Sequence, residues 1–420
     1  MTGYESYIRY LLKHADEVEI LLNEGKEYGL KSEKDTYDIK FGDERIYQLR
    51  IIKNGRIGSS TFYRLDELEK ALKNAISLSK YSEKLDIHFP SGKETARKVK
   101  IYDKKIEKLN EMDGKRLINN LNRGVKRYGS LVFSAISYGT GKNEVVNSNN
   151  TFAKEGLTFF SANAVAKYFD GIGESSDSSR FLFDTYSIGK EAGEIAKQQK
   201  GQKKVTGNYT IILDKIALST FLRDLLIPFF DGGSIVSGTS MLREKLNERL
   251  LSKELTVIDN PFNGSSAHQI DEEGVIKKEK VLVKNGLIKN FLFDTVTLAK
   301  AKKRKIRNIK SQTIGNYNCI PTNIELKPGR IKDIIKEFGD VILVRGLIGT
   351  HSLSLSRGDF IATIDYGLLF KNGKLIHPVK GLTFGENVIE LLSRVLIEKK
   401  VNCFDNIISP RIGFENINCV

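Results

Sequence analysis

Residues 349–381 read GTHSLSLSRGDFIATIDYGLLFKNGKLIHPVKG, and the fold of the C-terminal half turns on them. Ser352, Ser354 and Ser356 alternate with Leu353 and Leu355. A period of two is the mark of a strand with one polar and one apolar face. The pattern predicts a strand bracketed by bends at Gly349 and Gly358, followed by further hairpin strands. Asn372-Gly373 marks one hairpin, because both central positions of such a turn take positive φ. A serine nucleophile usually sits on a sharp glycine-flanked turn beside a helix. Three serines along a strand describe a binding wall instead, with His351 as a structural histidine.

Working outward, Asn285-Gly286 and Asn54-Gly55 repeat the hairpin signal. In the N-terminal part, Val18–Asn23, Tyr37–Phe41, Ile46–Ile52 and Arg56–Phe62 read as strands. Leu131–Tyr138, Glu144–Asn147 and Leu157–Tyr168 follow. Helical stripes fall at Tyr4–Leu12, Leu65–Ile76, Leu117–Val125 and Ser187–Gln199. GIGESSDSS (171–179) reads as a loop. The glycine-bounded polar stretch GQKKVTG (201–207) is the main boundary. Beyond it, Tyr209–Leu213 reads as a strand, and Lys215–Leu226, Ser240–Leu250 and Asn387–Lys399 as helices. The expected class is α+β. An N-terminal α/β domain with an antiparallel sheet and helices spans 1–200, divisible near residue 100. A C-terminal barrel-like, mainly antiparallel β domain with flanking helices spans 201–420.

Composition narrows the function. The chain has 420 residues, 40% hydrophobic and 28% charged, as in globular proteins. No stretch approaches the roughly 18 apolar residues of a membrane span, and the N-terminus lacks the pattern of a signal peptide. A cytoplasmic location with no membrane partner is expected. Three scattered cysteines, Cys319, Cys403 and Cys419, make neither a disulfide framework nor a zinc knuckle. No two of the five histidines lie close enough to present a helical metal pair. Neither GxGxxG nor GxxxxGK[ST] occurs. Net charge is +15, and Lys300–Lys310 holds seven basic residues in eleven. No aromatic interleaves that run, so it reads as a solvated face rather than a nucleic-acid platform.

Several segments, taken in order, resemble the PmbA/TldD family, known both as "modulator of DNA gyrase" proteins and as metalloprotease subunits. They are GTHS (349–352), RGDF (357–360), NGK (372–374), HPVKGLTFGEN (377–387) and SPRIGFENI (409–417). IGNYNCIPTNIELKPG (314–329) extends the match upstream. VEILLNEG (18–25), RIIKNGRIGSS (50–60), NSNNTFAKEGL (147–157) and GNYTIILD (207–214) resemble the family more loosely. One branch of that family carries His-Glu-x-x-x-His, whose histidines bind a metal and whose glutamate is the general base. Anchored on GTS (238–240), the matching positions here are Arg223, Asp224 and Pro228. Arginine stays protonated and proline has no ligand atom, so the chain resembles the metal-less PmbA/TldE type, in which DGGSIVSGTS (231–240) stands where the metal helix ends. A cysteine ligand of the catalytic branch falls near Cys403, but offset.

The resemblance implies a subunit with no catalytic residue, metal or cofactor of its own. Zinc is expected only in a TldD-type, metal-bearing partner of a heterodimer, with self-pairing as a homodimer the other arrangement. Unfolded peptide is the implied substrate, entering a channel between domains as an extended strand. The peptide-binding candidates are Gly349, Thr350, His351, Ser352, Ser354 and Asp359. Two alternatives stand beside this reading: a nucleic-acid or DNA-gyrase-associated modulator, and a hydrolase with an unrecognised site.

Overall fold

A computed structural model of the chain describes residues 3–33, 36–92 and 97–420. The N-terminal part builds one six-stranded sheet from β1 (Glu17–Glu33), β2 (Thr36–Lys53), β3 (Arg56–Phe62), β4 (Ser130–Asn147), β5 (Phe152–Tyr168) and β6 (Gly171–Ser179). Its order is β3-β2-β1-β4-β5-β6, with every neighbour antiparallel. Four of these strands run 17 or 18 residues, well beyond the ~3–10 usual in globular proteins. Where the sequence pattern suggests two strands broken by glycines and polar residues, the chain runs straight through. Gly139 shows why a glycine sits mid-strand: a Cβ there would lie 1.9 Å from the Lys26 carbonyl oxygen.

GIGESSDSS is not a loop but β6, an edge strand. Its glycines lie directly beneath the helix Thr185–Gln198, and a Cβ on Gly173 would come within 2.2 Å of the Ala196 nitrogen. Glycine here answers a close approach of backbone to backbone, which composition alone reads as flexibility.

The two faces of this sheet differ. Ile20, Leu22 and Leu30 of β1 point to one side, with Leu49, Ile51, Tyr138 and Phe160. At one end that side is covered by the helices Glu5–Leu11 and Leu68–Ser79, and at the other by Glu111–Lys126 and Thr185–Gln198. The opposite side carries Glu19, Arg50 and Asn147, paired across strands, and meets the C-terminal part.

The second sheet is eleven-stranded. It comprises β7 (Gly207–Leu213), β8 (Val257–Asp259), β9 (Lys280–Lys284), β10 (Leu287–Ile288), β11 (Ile324–Leu326) and β12 (Asp340–Ile348), then β13 (Asp359–Lys371), β14 (Lys374–Val379), β15 (Leu382–Asn387), β16 (Leu396–Phe404) and β17 (Ile407–Cys419). The path is β10-β9-β8-β11-β17-β7-β12-β13-β14, with β15 added on β13 and β16 on β17. Two contacts, β11 with β17 and β7 with β12, are parallel. The path has two ends and does not close, so barrel-like describes it only loosely, while the α+β class holds. Its core gathers Phe221, Phe229, Phe230, Phe291, Phe293 and Phe414.

One expected helix fails and another is cut short. Residues 240–250 form turns, with Asn247 at φ 67° and the Ser240 hydroxyl donating to the Phe229 carbonyl (2.7 Å). Leu242 and Leu246 are still buried, so the apolar spacing served the core without a helix. The last helix covers only Val388–Ser393, capped by the Asn387 side chain, and the chain then enters β16.

The two parts are pinned by a buried cation. Arg50 donates to Glu19 Oε1 through Nε (2.7 Å) and Nη2 (2.5 Å) on its own sheet, and through Nη1 to Glu273 of the C-terminal part (2.8 Å). Glu273 Oε2 also accepts from the Thr295 nitrogen and hydroxyl. One guanidinium faces two carboxylates, and Glu19 Oε2 accepts besides only a long bond from Asn147 Nδ2 (3.3 Å). Burial, reinforced by Glu273 and opposed by Arg50, pushes the Glu19 carboxyl up to about 7.

Two outcomes follow. Arg50→Met leaves both carboxylates buried without their cation and should cost roughly 3–5 kcal/mol in urea unfolding. The native state holds the Glu19 proton more tightly than the unfolded chain, whose value is near 4.5. That stabilisation is complete at low pH and is lost as pH rises through about 7. The urea midpoint should therefore fall between about pH 5 and pH 8 in the parent and much less in Glu19→Gln.

Candidate functional site

The helix that begins at Lys215 changes pitch. Lys215–Thr220 is α-helical, Phe221–Leu226 is wound in wider i→i+5 turns, and Ile227–Phe230 is a tight 3₁₀ turn. The Ile227 N–H reaches back five residues to the Leu222 carbonyl. Pro228 accounts for this. It has no N–H to give to Asp224, and in an α-helix its ring would collide with that carbonyl. Phe221, Leu222, Leu225 and Leu226 are buried, leaving Arg223 and Asp224 on the outer side. Arg223 Nε lies 3.6 Å from Asp224 Oδ1, and Asp224 Oδ2 accepts from the Thr350 hydroxyl at 2.9 Å.

The segment carrying Thr350 is not the expected strand. Thr350–Ser352 is a 3₁₀ turn entered from Gly349 at φ 83°, and Ser354–Arg357 forms a further turn closed by Gly358 N–H to the Ser354 carbonyl (2.7 Å). The physical reason is topological. β12 and β13 are antiparallel neighbours, so the chain must reverse between them. The Ser352 hydroxyl imitates a strand partner, donating to the Ile361 carbonyl (2.7 Å) and accepting from its N–H (2.8 Å). Leu353 and Leu355 do pack on the core, which explains the alternation. The Leu355 carbonyl accepts from Met241 N–H (3.0 Å), tying the loop to the GTS stretch.

The structure thus brings Asp224 and Thr350 together, with Gly349 as the bend that makes this possible. His351 and Ser352 are exposed beside them. Ser354 lies in the turn, its hydroxyl 3.4 Å from that of Ser356. Asp359 is engaged elsewhere, with Arg357 (3.0 Å) and Asn387 (3.0 Å). Arg223 and Pro228 offer no ligand atoms, and among the described residues no three His, Cys, Asp or Glu side chains converge in a way that could hold a metal ion. Cys403 lines a cavity of about 570 Å³ beside Asp177 and Asp405. Burial, with those carboxylates, raises its thiol pKa, which keeps it protonated and a poor ligand.

A cavity of about 610 Å³ lies over the helix-free face of the first sheet. Glu27, Lys31, Ser137, Asn163, Ser178 and Asp405 line it. It is a trough across β2, β1, β4, β5 and β6 in which polar side chains stand among apolar surface, closed at one side by the turn at Asp405 of the C-terminal part.

One buried cluster escapes pattern reading. Glu155 of β5 accepts from His268 Nδ1 (2.5 Å), while Arg180 Nη2 lies 2.8 Å from His268 Nε2. An arginine can only donate, so the guanidinium faces Nε2 while the carboxylate faces Nδ1, and the ring is held between the two charges. The partners stand 113 and 88 positions apart, and nothing local signals their meeting. The basic run is partly spent inside the chain: Lys303 pairs with Glu83 (2.8 Å), Arg307 with Glu248 (3.3 Å), and Arg304 donates to the Val236 carbonyl.

Comparison with known proteins gives consistent results. Residues 206–420 match the PmbA/TldA metallopeptidase C-terminal domain, and residues 98–200 match the central domain of the same group. An uncharacterized protein of Methanocaldococcus jannaschii is 27% identical, with 87% of each chain covered. A zinc metalloprotease TldD homolog of Saccharolobus solfataricus is 22% identical over 85% of this chain and 83% of its own. Among solved structures, TldE from Thermococcus kodakarensis superposes with a TM-score of 0.86 at 22% identity, covering all of both chains. A putative modulator of a DNA gyrase from Thermotoga maritima does so at 0.87, also 22% identical and over all of both chains.

The Asp224–Thr350 contact is half-exposed, so its coupling should be modest. A double-mutant cycle of Asp224→Asn and Thr350→Val should return about 0.5–1.5 kcal/mol of interaction in chemical unfolding. A coupling indistinguishable from zero would show that the loop is held by Met241 and Ser352 alone.

Proposed function

Because this chain belongs to the PmbA/TldD metallopeptidase family, we propose that it is the metal-less subunit of a TldD/TldE-type protease, binding or channelling unfolded peptide while a partner chain supplies the catalytic metal. The observation that carries this reading is the outer face of the 221–230 helix. At the positions where the catalytic branch has His, Glu and His, this chain has a permanently charged guanidinium, a carboxylate occupied by Thr350, and a proline that reshapes the backbone. No step of metal-assisted hydrolysis can be assigned to these residues.

The chain's own contribution would be to hold substrate. The trough over β1, β4, β5 and β6 offers hydroxyl, amide and charged groups along long, straight strands. Such a surface suits an extended peptide whose side chains vary. The loop 349–359 would form a rim beside the Asp224 contact, with His351 and Ser352 turned outward. A cytoplasmic setting and pairing with a TldD-type chain, or with a second copy, belong to the same proposal.

Purified without an affinity tag and dialysed, the chain should retain well under one transition-metal ion per molecule by mass spectrometry, and should not hydrolyse unstructured peptides. Adding a metal-bearing TldD-type chain from the same cells should produce cleavage. Ser137→Arg, which fills the trough floor, should lower cleavage by the reconstituted pair by about tenfold or more. Tight stoichiometric metal or metal-dependent turnover by the isolated chain would overturn the proposal.

A further inference from the structure

Three turns meet at one end of the first sheet. They are residues 127–129 after the helix Glu111–Lys126, the β5–β6 hairpin at 168–171, and residues 199–201 after the helix Thr185–Gln198. Glycines let them touch. A Cβ on Gly129 would lie 2.6 Å from the Lys167 carbonyl oxygen. One on Gly171 would lie 2.3 Å from the Ala196 carbonyl oxygen and 2.9 Å from the Lys200 nitrogen. Arg127, Lys167, Lys197 and Lys200 gather here, and none is paired with a carboxylate among the described residues. Three of them stand over aromatic rings instead. Lys200 Nζ is 4.2 Å from the centre of the Phe169 ring, while Arg127 Cζ (5.5 Å) and Lys197 Nζ (5.6 Å) lie over Tyr128. Asp170, the carboxylate of the hairpin turn, accepts the Gly201 N–H (3.1 Å).

Phe169 is the unusual member. It is the first of the two residues that carry the chain from β5 to β6, and its φ is 54°. Glycine and asparagine are preferred in that position, and a bulky side chain there strains the backbone. Burial does not offset the strain, since Phe169 is 66% exposed. An exposed cation–π contact offsets only part of it. Strain kept at an exposed position points to function. Aliphatic side chains lie close by. Ile172 stands opposite Lys167 on β6, and Val132 is the extra residue where β4 slips its register against β5. They are 39% and 41% exposed.

We propose that this end of the molecule docks on an anionic lipid surface, with Phe169 entering the headgroup layer and Arg127, Lys167, Lys197 and Lys200 facing the lipid phosphates. Among the described residues no helix is long and apolar enough to cross a membrane, and contact with its surface needs none. An apolar tip ringed by cations is enough for reversible attachment when the lipids are anionic. Cations that have no carboxylate of their own are free to meet phosphate. Single-stranded nucleic acid fits less well. It needs several open rings on which successive bases stack, whereas Tyr128 is half-buried beneath two cations and Phe169 is left as the open ring. Ile172 and Val132 offer nothing to a base, but they suit acyl chains near the headgroups. The surface works whether or not the trough holds peptide.

The chain has no tryptophan, so Phe169→Trp carries a single indole at the tip. Its emission should shift to the blue on mixing with phosphatidylcholine vesicles that contain about a third phosphatidylglycerol. With phosphatidylcholine alone it should not move. In sedimentation the parent chain should partition at least about tenfold more strongly into the anionic vesicles, and the difference should shrink as salt rises. Lys197→Gln combined with Lys200→Gln should lower that binding by about fivefold or more. Glycine takes a φ of 54° without strain. Phe169→Gly should therefore keep or raise the thermal midpoint while weakening anionic-vesicle binding by about fivefold or more. An indole that stays in water, equal binding to neutral vesicles, or full binding by Phe169→Gly would each overturn the assignment. So would an indole that responds to a single-stranded oligonucleotide and ignores vesicles, which would make this end a nucleic-acid site.

Discussion

One guanidinium decides how the molecule holds its shape. Arg50 projects from the helix-free face of the first sheet and is gripped by Glu19 beside it and Glu273 across the junction. Burying three charges brings little net stability. It does bring directionality, since a planar fork accepts carboxylates only along its own edges. An apolar junction would tolerate sliding, whereas this one fixes the second part against the sheet at a defined angle. The trough is closed at Asp405 by direct contacts of its own: Asp177 Oδ1 accepts the Asp405 N–H (3.0 Å), and the Ser178 hydroxyl donates to the Asp405 carboxylate.

The sheet itself explains why polar side chains reach the trough. Both helix pairs sit on the same side, so that side takes the apolar half of each strand's alternation. The other half is left for charges, amides and hydroxyls. Strands of 17 or 18 residues outrun what one helix pair can cover, and the chain answers with two pairs end to end. Glycines at 139, 171 and 173 permit this crowding, because each sits where another backbone passes within contact distance.

Much of this was legible in the sequence, for reasons that can be named. Three of the four Asn-Gly pairs adopt positive φ at both residues, as at Asn54 (52°) and Gly55 (70°), and each closes a hairpin between apolar strand runs; at Asn263-Gly264, which has no such flanks, only the glycine does. Strand lengths were not legible, because a glycine that admits a neighbouring backbone looks like one that ends a strand. The 352–356 alternation was read for burial correctly and for conformation wrongly, since a turn can bury every second side chain over a short span. The site was legible only in pieces. Family-like motifs mark residues 223–240 and 349–360 separately, but the bond joining them spans 126 positions. Nothing in the sequence sets Glu273 apart from its acidic neighbours at 271–272, yet Glu273 is 0% exposed while Glu272 faces solvent.

Pro228 sets backbone as well as side chain. Its missing N–H removes the α-type bond to the Asp224 carbonyl, and the turn before it widens. A wider turn carries residues five apart closer to one face than an α-helix does. Any residue with an N–H at 228 would therefore change the pitch along with the side chain, and shift the face on which Arg223 and Asp224 stand relative to Thr350. At this position a point substitution is also a change of helix geometry.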